Sequence, residues 1–319
     1  MQRWDLIIIG AGPAGLTAGI YGVRSGLRTL VLEEKLPGGM VATSPWIENY
    51  PGFPNGISGE DLAEKMLSQC RRLGAEVKEL EGAVELSLGG KEKIVKTENA
   101  EYSAGAVIIA SGSKHKALGV PGEEKFQGKG VSYCAVCDGY FFKGKRVLVV
   151  GGGNCAVLSA IYLANLASDV FLAHRRGSLR AEEAYVKQLE AMKINVLYST
   201  ELREIKGGEV VNNAVLFNGK TGRTEELKVD GVFIFVGEAP NSIFAQKAGV
   251  KVDEKGYIVT DPLQRTNISG VYTAGDVTSC PVRQVGIAVG QAIIAATEAY
   301  GYVKQPYYYK KQQTRKAQA

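Results

Sequence analysis

One pattern occurs twice in this chain and limits its fold more than any other feature: a short apolar strand, a glycine-rich turn, a helix and a second strand. The first copy runs Asp5–Ile9, then Gly10-Ala11-Gly12-Pro13-Ala14-Gly15, a helix predicted to about Ser25, and the strand Arg28–Leu32. The second runs Lys145–Val150, then Gly151-Gly152-Gly153-Asn154-Cys155-Ala156, a helix to about Ala167, and Asp169–Ala173. Strands alternating with helices at this spacing build parallel sheets covered on both faces. Two copies about 140 residues apart imply two nucleotide-binding domains in one α/β chain. A length of 319 residues accommodates both, at roughly 100–200 residues per domain. Glycine-bounded segments of β character, Ala106–Ala110 and Gly231–Val236, supply further strands.

Each turn carries its own chemistry. Gly10 allows a tight turn, Gly12 lets backbone approach a pyrophosphate, and Gly15 lets helix pack on strand. The helix N-terminus directs N–H groups at phosphates. Glu33 follows Gly15 by 18 residues, where a carboxylate takes ribose hydroxyls. The second run reads G-x-G-x-x-A through Gly151, Gly153 and Ala156, with Asn154 following the last glycine. Its second strand ends in His174-Arg175-Arg176, with Arg180 four residues on, in place of an acid. Guanidinium groups pair with a 2′-phosphate that a carboxylate would repel, so NADP(H) is favoured over NAD(H). A solvated basic turn is the plain alternative. With only two histidines in the chain, His174 carries no catalytic weight alone and no metal site is expected.

Five cysteines are too few for a disulfide scaffold. Only Cys134 and Cys137 sit close, in Cys134-Ala135-Val136-Cys137-Asp138. Two intervening residues let a disulfide close within one turn, and let one thiolate attack while the other resolves. Zinc would need four ligands, with His115 the only other donor nearby; a pair of inert buried thiols is the third reading. Asp138 is placed to shuttle a proton, or is an ordinary turn carboxylate. Cys155 lies at a helix N-terminus, where the dipole lowers a thiol pKa; a small packed residue is the simpler reading. Cys70 is expected on the exposed face of a helix over Asp61–Leu73, so that Cys70→Ser would be nearly silent.

The net charge of +5 is unevenly placed. Lys304, Lys310, Lys311, Arg315 and Lys316 stand in a terminal stretch without acids, and the remaining 33 bases match 33 acids. The body therefore offers no nucleic-acid footprint. The terminal stretch has no periodicity and reads as disordered or loosely docked. No apolar run approaches the roughly 18 residues of a membrane span. No leader is expected either, since Gly10 already belongs to a motif. With sparse cysteines, this points to a reducing, cytoplasmic compartment.

Taken in order, Gly10–Gly15, Glu48-Asn49-Tyr50-Pro51-Gly52, Cys134–Asp138, Gly151–Ala156, His174–Arg180 and Thr273-Ala274-Gly275-Asp276-Val277 resemble the low-molecular-weight thioredoxin reductases. The resemblance covers about residues 4–303. It implies two Rossmann-like dinucleotide-binding domains. Residues 1–115 and 244–303 would form a discontinuous FAD domain, residues 116–243 an inserted NAD(P)H domain carrying the CxxC, and residues 304–319 a basic flexible tail. FAD and NADPH are the implied cofactors and a thioredoxin-like protein disulfide the implied partner. A homodimer is implied, with no nucleic-acid or membrane partner.

The same resemblance assigns residues. Ala14, Gly39, Met40, Asn49, Ala110 and Gly112 join the first glycine run about the FAD. Gly275 and Asp276 fall at its pyrophosphate and ribityl chain, and Arg283, Gln284 and Val285 along the flavin. Cys137 becomes the flavin-facing sulfur and Asp138 the proton donor. Lys129, Tyr140 and Phe141 match positions that grip thioredoxin; the plain reading is a buried aromatic pair and a surface lysine. A dithiol packed on flavin would block the nicotinamide and be hidden from a protein substrate, so the inserted domain must rotate.

Two departures stand out. The family's Ala-Val-Glu-Glu-Ala is here Ala156-Val157-Leu158-Ser159-Ala160, which is expected to weaken nicotinamide binding or slow its reaction. Its Gly-Gly-Gln is Gly38-Gly39-Met40, without the amide hydrogen bond. A FAD-dependent dithiol oxidase of the same fold and a non-turnover flavin redox sensor are the alternatives. The missing glutamates favour the oxidase, and Arg175, Arg176 and Arg180 count against it.

Overall fold

The computed structural model describes residues 1–192 and 194–305, and the chain divides into two compact units. One is discontinuous, comprising Met1–Ala42, Glu48–Lys114 and Ala239–Ala319. The other comprises Thr43–Ile47 and His115–Glu238.

In the discontinuous unit the apolar strand Gln2–Ile9 lies at the centre of a seven-stranded sheet. It pairs in parallel with Thr29–Leu32 on one side, Ile8 opposite Val31, and with Glu101–Ile109 on the other, Ile8 opposite Ile108. Glu76–Lys78 extends the sheet beyond Thr29–Leu32, and Val271–Thr273 lies along the end of Glu101–Ile109, both in parallel. A central strand covered on both faces has to be apolar throughout, which accounts for the unbroken Leu6–Ile9 run. Ile7, Ile9, Leu30 and Leu32 pack with Ala245, Val250 and Ile258 on one face. Leu6 and Ile8 face the helix Pro13–Arg24, close enough that a Cβ on Gly22 would lie 3.0 Å from Leu6 Cδ2. That helix packs in turn against Val285–Lys304.

The sheet is not purely parallel. Lys93–Lys96 runs antiparallel to the first half of Glu101–Ile109, Val95 opposite Tyr102, and Glu85–Ser87 runs antiparallel outside it. The short connections between these strands permit only antiparallel pairing, since a parallel neighbour needs a crossover of a dozen or more residues.

The inserted unit holds a five-stranded, wholly parallel sheet in the order Asn195–Tyr198, Asp169–His174, Arg146–Gly151, Gly231–Phe235, Val131–Ser132. One face buries Val147, Val149, Leu172 and Phe233 against the helices Asn154–Ala164 and Glu183–Ala191. The other face is covered too, by a second sheet in place of helices. It buries Leu148, Val150, Val232 and Ile234 against Leu202, Ala214 and Leu216, which belong to an antiparallel sheet of Thr200–Gly207, Val211–Asn218 and Arg223–Lys228. Residues 208–210 and 219–222 are hairpin-length links, so this segment pairs with itself and covers the parallel sheet as a β layer.

Cys70 overturns an expectation. Its helix is Gly59–Arg72, opened by Ser58, whose hydroxyl accepts the Asp61 N–H at 3.0 Å. Leu62, Ala63, Met66 and Cys70 form the buried face, and Cys70 is 0% exposed. A Cβ on Gly19 would come within 2.6 Å of its sulfur. Cys70→Ser is therefore expected to cost about 1–3 kcal/mol, read from the denaturant midpoint, because it buries a hydroxyl in a thiol's place. Burial also pushes the Cys70 thiol up to about 11, with neighbouring Arg71 opposing. Iodoacetamide on the native protein should accordingly modify exposed Cys155 and spare Cys70.

Lys304 closes the last helix and pairs with Asp5 at 3.0 Å. The basic stretch read as a disordered tail otherwise falls on residues 306–319, outside the described residues. Among the described residues no helix is long and apolar enough to cross a membrane.

Candidate active site: two dinucleotide cradles and a dithiol turn

In the discontinuous unit the strand Gln2–Ile9 ends in Gly10, whose φ of +104° suits a residue without a Cβ. A Cβ there would lie 2.3 Å from the Ala110 carbonyl oxygen, and one on Gly15 would lie 1.7 Å from the Gly10 oxygen. These two glycines are fixed by packing. Gly12 differs: a Cβ there would meet only Gly39 Cα, at 3.8 Å, so the backbone at the helix start stays open to an approaching group. The Gly38 N–H donates to the Ala11 carbonyl at 2.8 Å, pinning the turn Gly39–Thr43, with half-buried Met40, beside the first glycine run. Glu33 accepts the Ala11 N–H at 2.6 Å and the Lys35 N–H at 2.9 Å, so its carboxylate is held at the glycine run.

The returning segment completes this cradle. Gly275 (φ +81°) approaches Ala14 so closely that a Cβ would sit 2.9 Å from the Ala14 Cβ. Its N–H donates to Gln291 Oε1 at 2.8 Å. Asp276, half-buried, follows at the same turn, and Gly112 follows Ala110 at the end of Glu101–Ile109. Gln284 precedes Val285, the first residue of the last helix, and its amide accepts from Asn49 Nδ2 at 3.2 Å. Arg283 donates to the Cys280 carbonyl at 2.8 Å and lies 4.3 Å over the Tyr257 ring. Thus residues from three separate stretches meet where two helices begin. A backbone open at Gly12 and helix N–H groups fit a dinucleotide's pyrophosphate.

The second cradle is built alike. A Cβ on Gly151 would lie 2.4 Å from the Phe235 oxygen, whereas one on Gly153 would meet nothing within 4 Å. Ala156 is buried against Gly151. The loop after Asp169–His174 is fastened across this turn. Arg180 N–H donates to the Gly152 carbonyl at 2.6 Å, Asn154 Nδ2 donates to Glu182 Oε1 at 2.7 Å, and Glu182 N–H donates to Asn154 Oδ1 at 2.8 Å. Arg175, Arg176 and Arg180 are exposed, and none makes an ion pair among the described residues. His174 is 5% exposed, with its ring where a Cβ on Gly152 would come within 2.3 Å. Burial first, and then the charges of Arg180, Arg176 and Arg175, hold its pKa below the ordinary histidine value. Its Nε2 is buried without a hydrogen-bond partner. Three unpaired guanidinium groups beside an open glycine turn fit a phosphorylated dinucleotide.

In the same unit Cys134 and Cys137 form a disulfide, with Cα atoms 5.4 Å apart. Cys134 caps the short helix Ala135–Asp138, its sulfur accepting the Cys137 N–H at 3.1 Å. Cys137 is exposed and Cys134 half-buried. Gly139 sets the turn directly on the second cradle's helix, since a Cβ there would lie 3.0 Å from Leu163 Cδ2. Tyr140 and Phe141 are 68% and 71% exposed, and Lys129 is exposed too, so the aromatic pair is not buried. Leu158 packs against this unit's core, and Ser159 is buried.

Several contacting residues escaped the sequence reading. Ser132 accepts the Cys134 N–H at 3.0 Å and donates to Asp138 Oδ2 at 2.7 Å; Ser-x-Cys is the local signal of such a serine turn. Glu123, buried, accepts from the N–H groups of Leu118 and Gly119 and from the Tyr133 hydroxyl. Gln291, on the last helix, and Glu182, just ahead of the helix Glu183–Ala191, act from remote positions that no spacing rule marks.

Residues 4–292 match the family model described as pyridine nucleotide-disulphide oxidoreductase. The chain is 43% identical over 306 residues to a thioredoxin reductase of Bacillus subtilis, covering 95% of each. Among solved structures it is similar to a thioredoxin reductase of Lactococcus lactis, with TM-score 0.91 and 41% identity over 95% of this chain and 100% of that one. It is equally close in fold to the thioredoxin reductase of T. acidophilum, with TM-score 0.91 and 38% identity over 94% and 99% of the two chains.

Proposed function

The chain belongs to the pyridine nucleotide-disulphide oxidoreductases and, within them, to the thioredoxin reductases, and from that premise we propose the route its electrons take. Residues 1–115 and 244–303 hold FAD, and residues 116–243 hold NADPH. Gly10, Gly12, Gly15 and the helix they open face the flavin nucleotide's pyrophosphate, with Glu33 at the ribose and Gly275 and Asp276 at the pyrophosphate and ribityl chain. Gly151, Gly153 and Asn154 face the nicotinamide dinucleotide's pyrophosphate, and Arg175, Arg176 and Arg180 its 2′-phosphate. Bound FAD supplies a two-electron link between a nicotinamide and a disulfide. Reduction of the Cys134–Cys137 bond would leave Cys137 as the flavin-facing sulfur, with Asp138 carrying a proton to the released thiolate. One cysteine then attacks the protein disulfide, and the other resolves the mixed disulfide.

The observation that carries this reading is the Cys134–Cys137 disulfide on an exposed turn, set on the helix of a cradle beside three exposed arginines. Exposed Tyr140, Phe141 and Lys129 beside it suit a thioredoxin-like partner. Tyr21, Ile287 and Ile294, large apolar side chains left exposed on helices of the discontinuous unit, suit a homodimer. Three cysteines outside the disulfide suit a reducing, cytoplasmic compartment.

Anaerobic titration with NADPH and then NADH, followed by turnover of a thioredoxin disulfide, tests the route. NADPH should bleach the flavin and support turnover. Leu158 and Ser159 touch only the nicotinamide end of the reading, so NADPH is expected to bind tightly through its adenosine half and bleach slowly. Faster bleaching by NADH would remove the 2′-phosphate from the assignment. Oxygen uptake driven by dithiols, without nicotinamide-dependent turnover, would identify the oxidase instead.

A further inference from the structure

Ser132 ends the strand Val131–Ser132, opposite Phe233, two residues ahead of the dithiol. It is 5% exposed. Its Oγ accepts the Cys134 N–H at 3.0 Å and has two acceptors within reach, Asp138 Oδ2 at 2.7 Å and the Cys134 carbonyl at 3.2 Å. That carbonyl also accepts the Asp138 N–H at 3.2 Å. A hydroxyl has one proton to donate and two lone pairs to offer. While Asp138 is ionised, the serine proton goes to the nearer carboxylate. Once Asp138 carries a proton, the carboxyl O–H donates to Ser132 Oγ, and the serine proton turns to the Cys134 carbonyl. The Cys134 N–H keeps its acceptor throughout. Ser132 Oγ, the Cys134 N–H and Asp138 Oδ2 therefore stay partnered in both protonation states, at a place where an orphaned polar atom would be costly.

We propose that Ser132 is a positioning residue for proton transfer at the dithiol, a two-way hydrogen-bond partner that lets Asp138 gain and lose a proton without disturbing the Cys134–Cys137 turn. This rests on the reading of Asp138 as proton carrier. The step can be written with a dithiol reductant such as dithiothreitol. Its thiolate attacks one sulfur, a new S–S bond forms as the Cys134–Cys137 bond breaks, and the released thiolate takes the proton of Asp138. The reductant's second thiol gives its proton to Asp138 and closes on its own sulfur. That expels the other cysteine, which is protonated from solvent. Dithiothreitol ends as a cyclic disulfide and the protein as a dithiol, with two electrons and two protons transferred.

The test uses full-length FAD-loaded protein with S132A, S132T, D138N and S132A/D138N. Two rates are read: opening of Cys134–Cys137 by dithiothreitol, scored as free thiols after acid quench, and turnover of a thioredoxin disulfide. S132A should slow both by about tenfold, S132T should stay within about threefold of wild type, and the double variant should be no slower than D138N. Wild-type rates in S132A, an S132T as slow as S132A, or multiplying losses in the double variant would overturn the proposal. D138N at wild-type rates would overturn the Asp138 reading and the proposal together, whereas slow D138N with fast S132A overturns the proposal alone. If S132A loses FAD or melts early, S132T and S132V, equal in shape, replace it: fast Thr with slow Val supports the proposal, and equal rates overturn it.

Discussion

Cys137→Ser protein should purify yellow with FAD and reduce protein disulfides at least about a thousandfold more slowly than wild type, the scale on which losing a nucleophilic partner is felt. The reason is chemical. Cys134 and Cys137 form the disulfide found among the described residues, and Cys70, Cys155 and Cys280, which are not disulfide-bonded, are distant in sequence. Cys70 is also buried, with its thiol pushed up to about 11, chiefly by burial. With Cys137 gone, Cys134 can still attack a substrate disulfide, but nothing resolves the adduct. A covalent complex with thioredoxin, visible by mass spectrometry and released by dithiothreitol, is the expected companion result. Cys137 is exposed, so against wild type with its disulfide reduced the substitution should leave the melting temperature nearly unchanged. Full turnover in this variant would take the dithiol out of the mechanism.

The second large effect concerns the nucleotide. Removing Arg175 and Arg176 together, each to alanine, should weaken NADPH binding at least about tenfold, since even one charge-assisted bond contributes about 1.5–3 kcal/mol when well made. NADH affinity should change by less than about twofold, since it has no 2′-phosphate for either arginine to hold. The geometry favours so clean a split. The loop bearing these arginines is fastened to the glycine turn by backbone and Asn154–Glu182 bonds, not by the guanidinium groups themselves. Both side chains are exposed, so their loss should leave the loop in place. Calorimetric titration with each nucleotide checks this, and equal losses for both would show that the arginines do not read the phosphate.

How far the sequence spoke depended on the range of the physics involved. The glycine runs were legible because Gly15 is demanded by a contact only five positions away, the Gly10 oxygen, and Gly10 by its own positive φ, although the Ala110 oxygen that crowds it lies a hundred positions on. The dithiol was legible for the same reason: its disulfide spans three positions. The exposure of Cys70 was misjudged because helical periodicity alone does not say which neighbour covers a face; Gly19, 51 positions earlier, makes room for its sulfur. The β layer over residues 200–228 was hidden because its strands are polar outside, Arg223–Lys228 being exposed at all but one position. Leu158 and Ser159 read as lost chemistry in the sequence. In the fold, Leu158 packs against the core and Ser159 is buried on the helix Asn154–Ala164, surroundings that the sequence spacing does not give.

The discontinuous unit closes on a contact of unusual reach. The Ile109 carbonyl is bonded by Thr273 Oγ1 at 2.7 Å, across 164 positions, and by the Ala274 N–H at 3.1 Å. On a ribosome adding roughly 5–20 residues per second, the end of Glu101–Ile109 waits on the order of ten to thirty seconds for its partner strand. The inserted unit, almost all of it one uninterrupted stretch, emerges during that wait and can complete its own sheet first. Birth order is thereby written into connectivity: the redox turn and its cradle can form early, while the unit that starts the chain finishes last with a bare strand edge. During synthesis, that edge is where a newly made copy is most exposed to pairing with another.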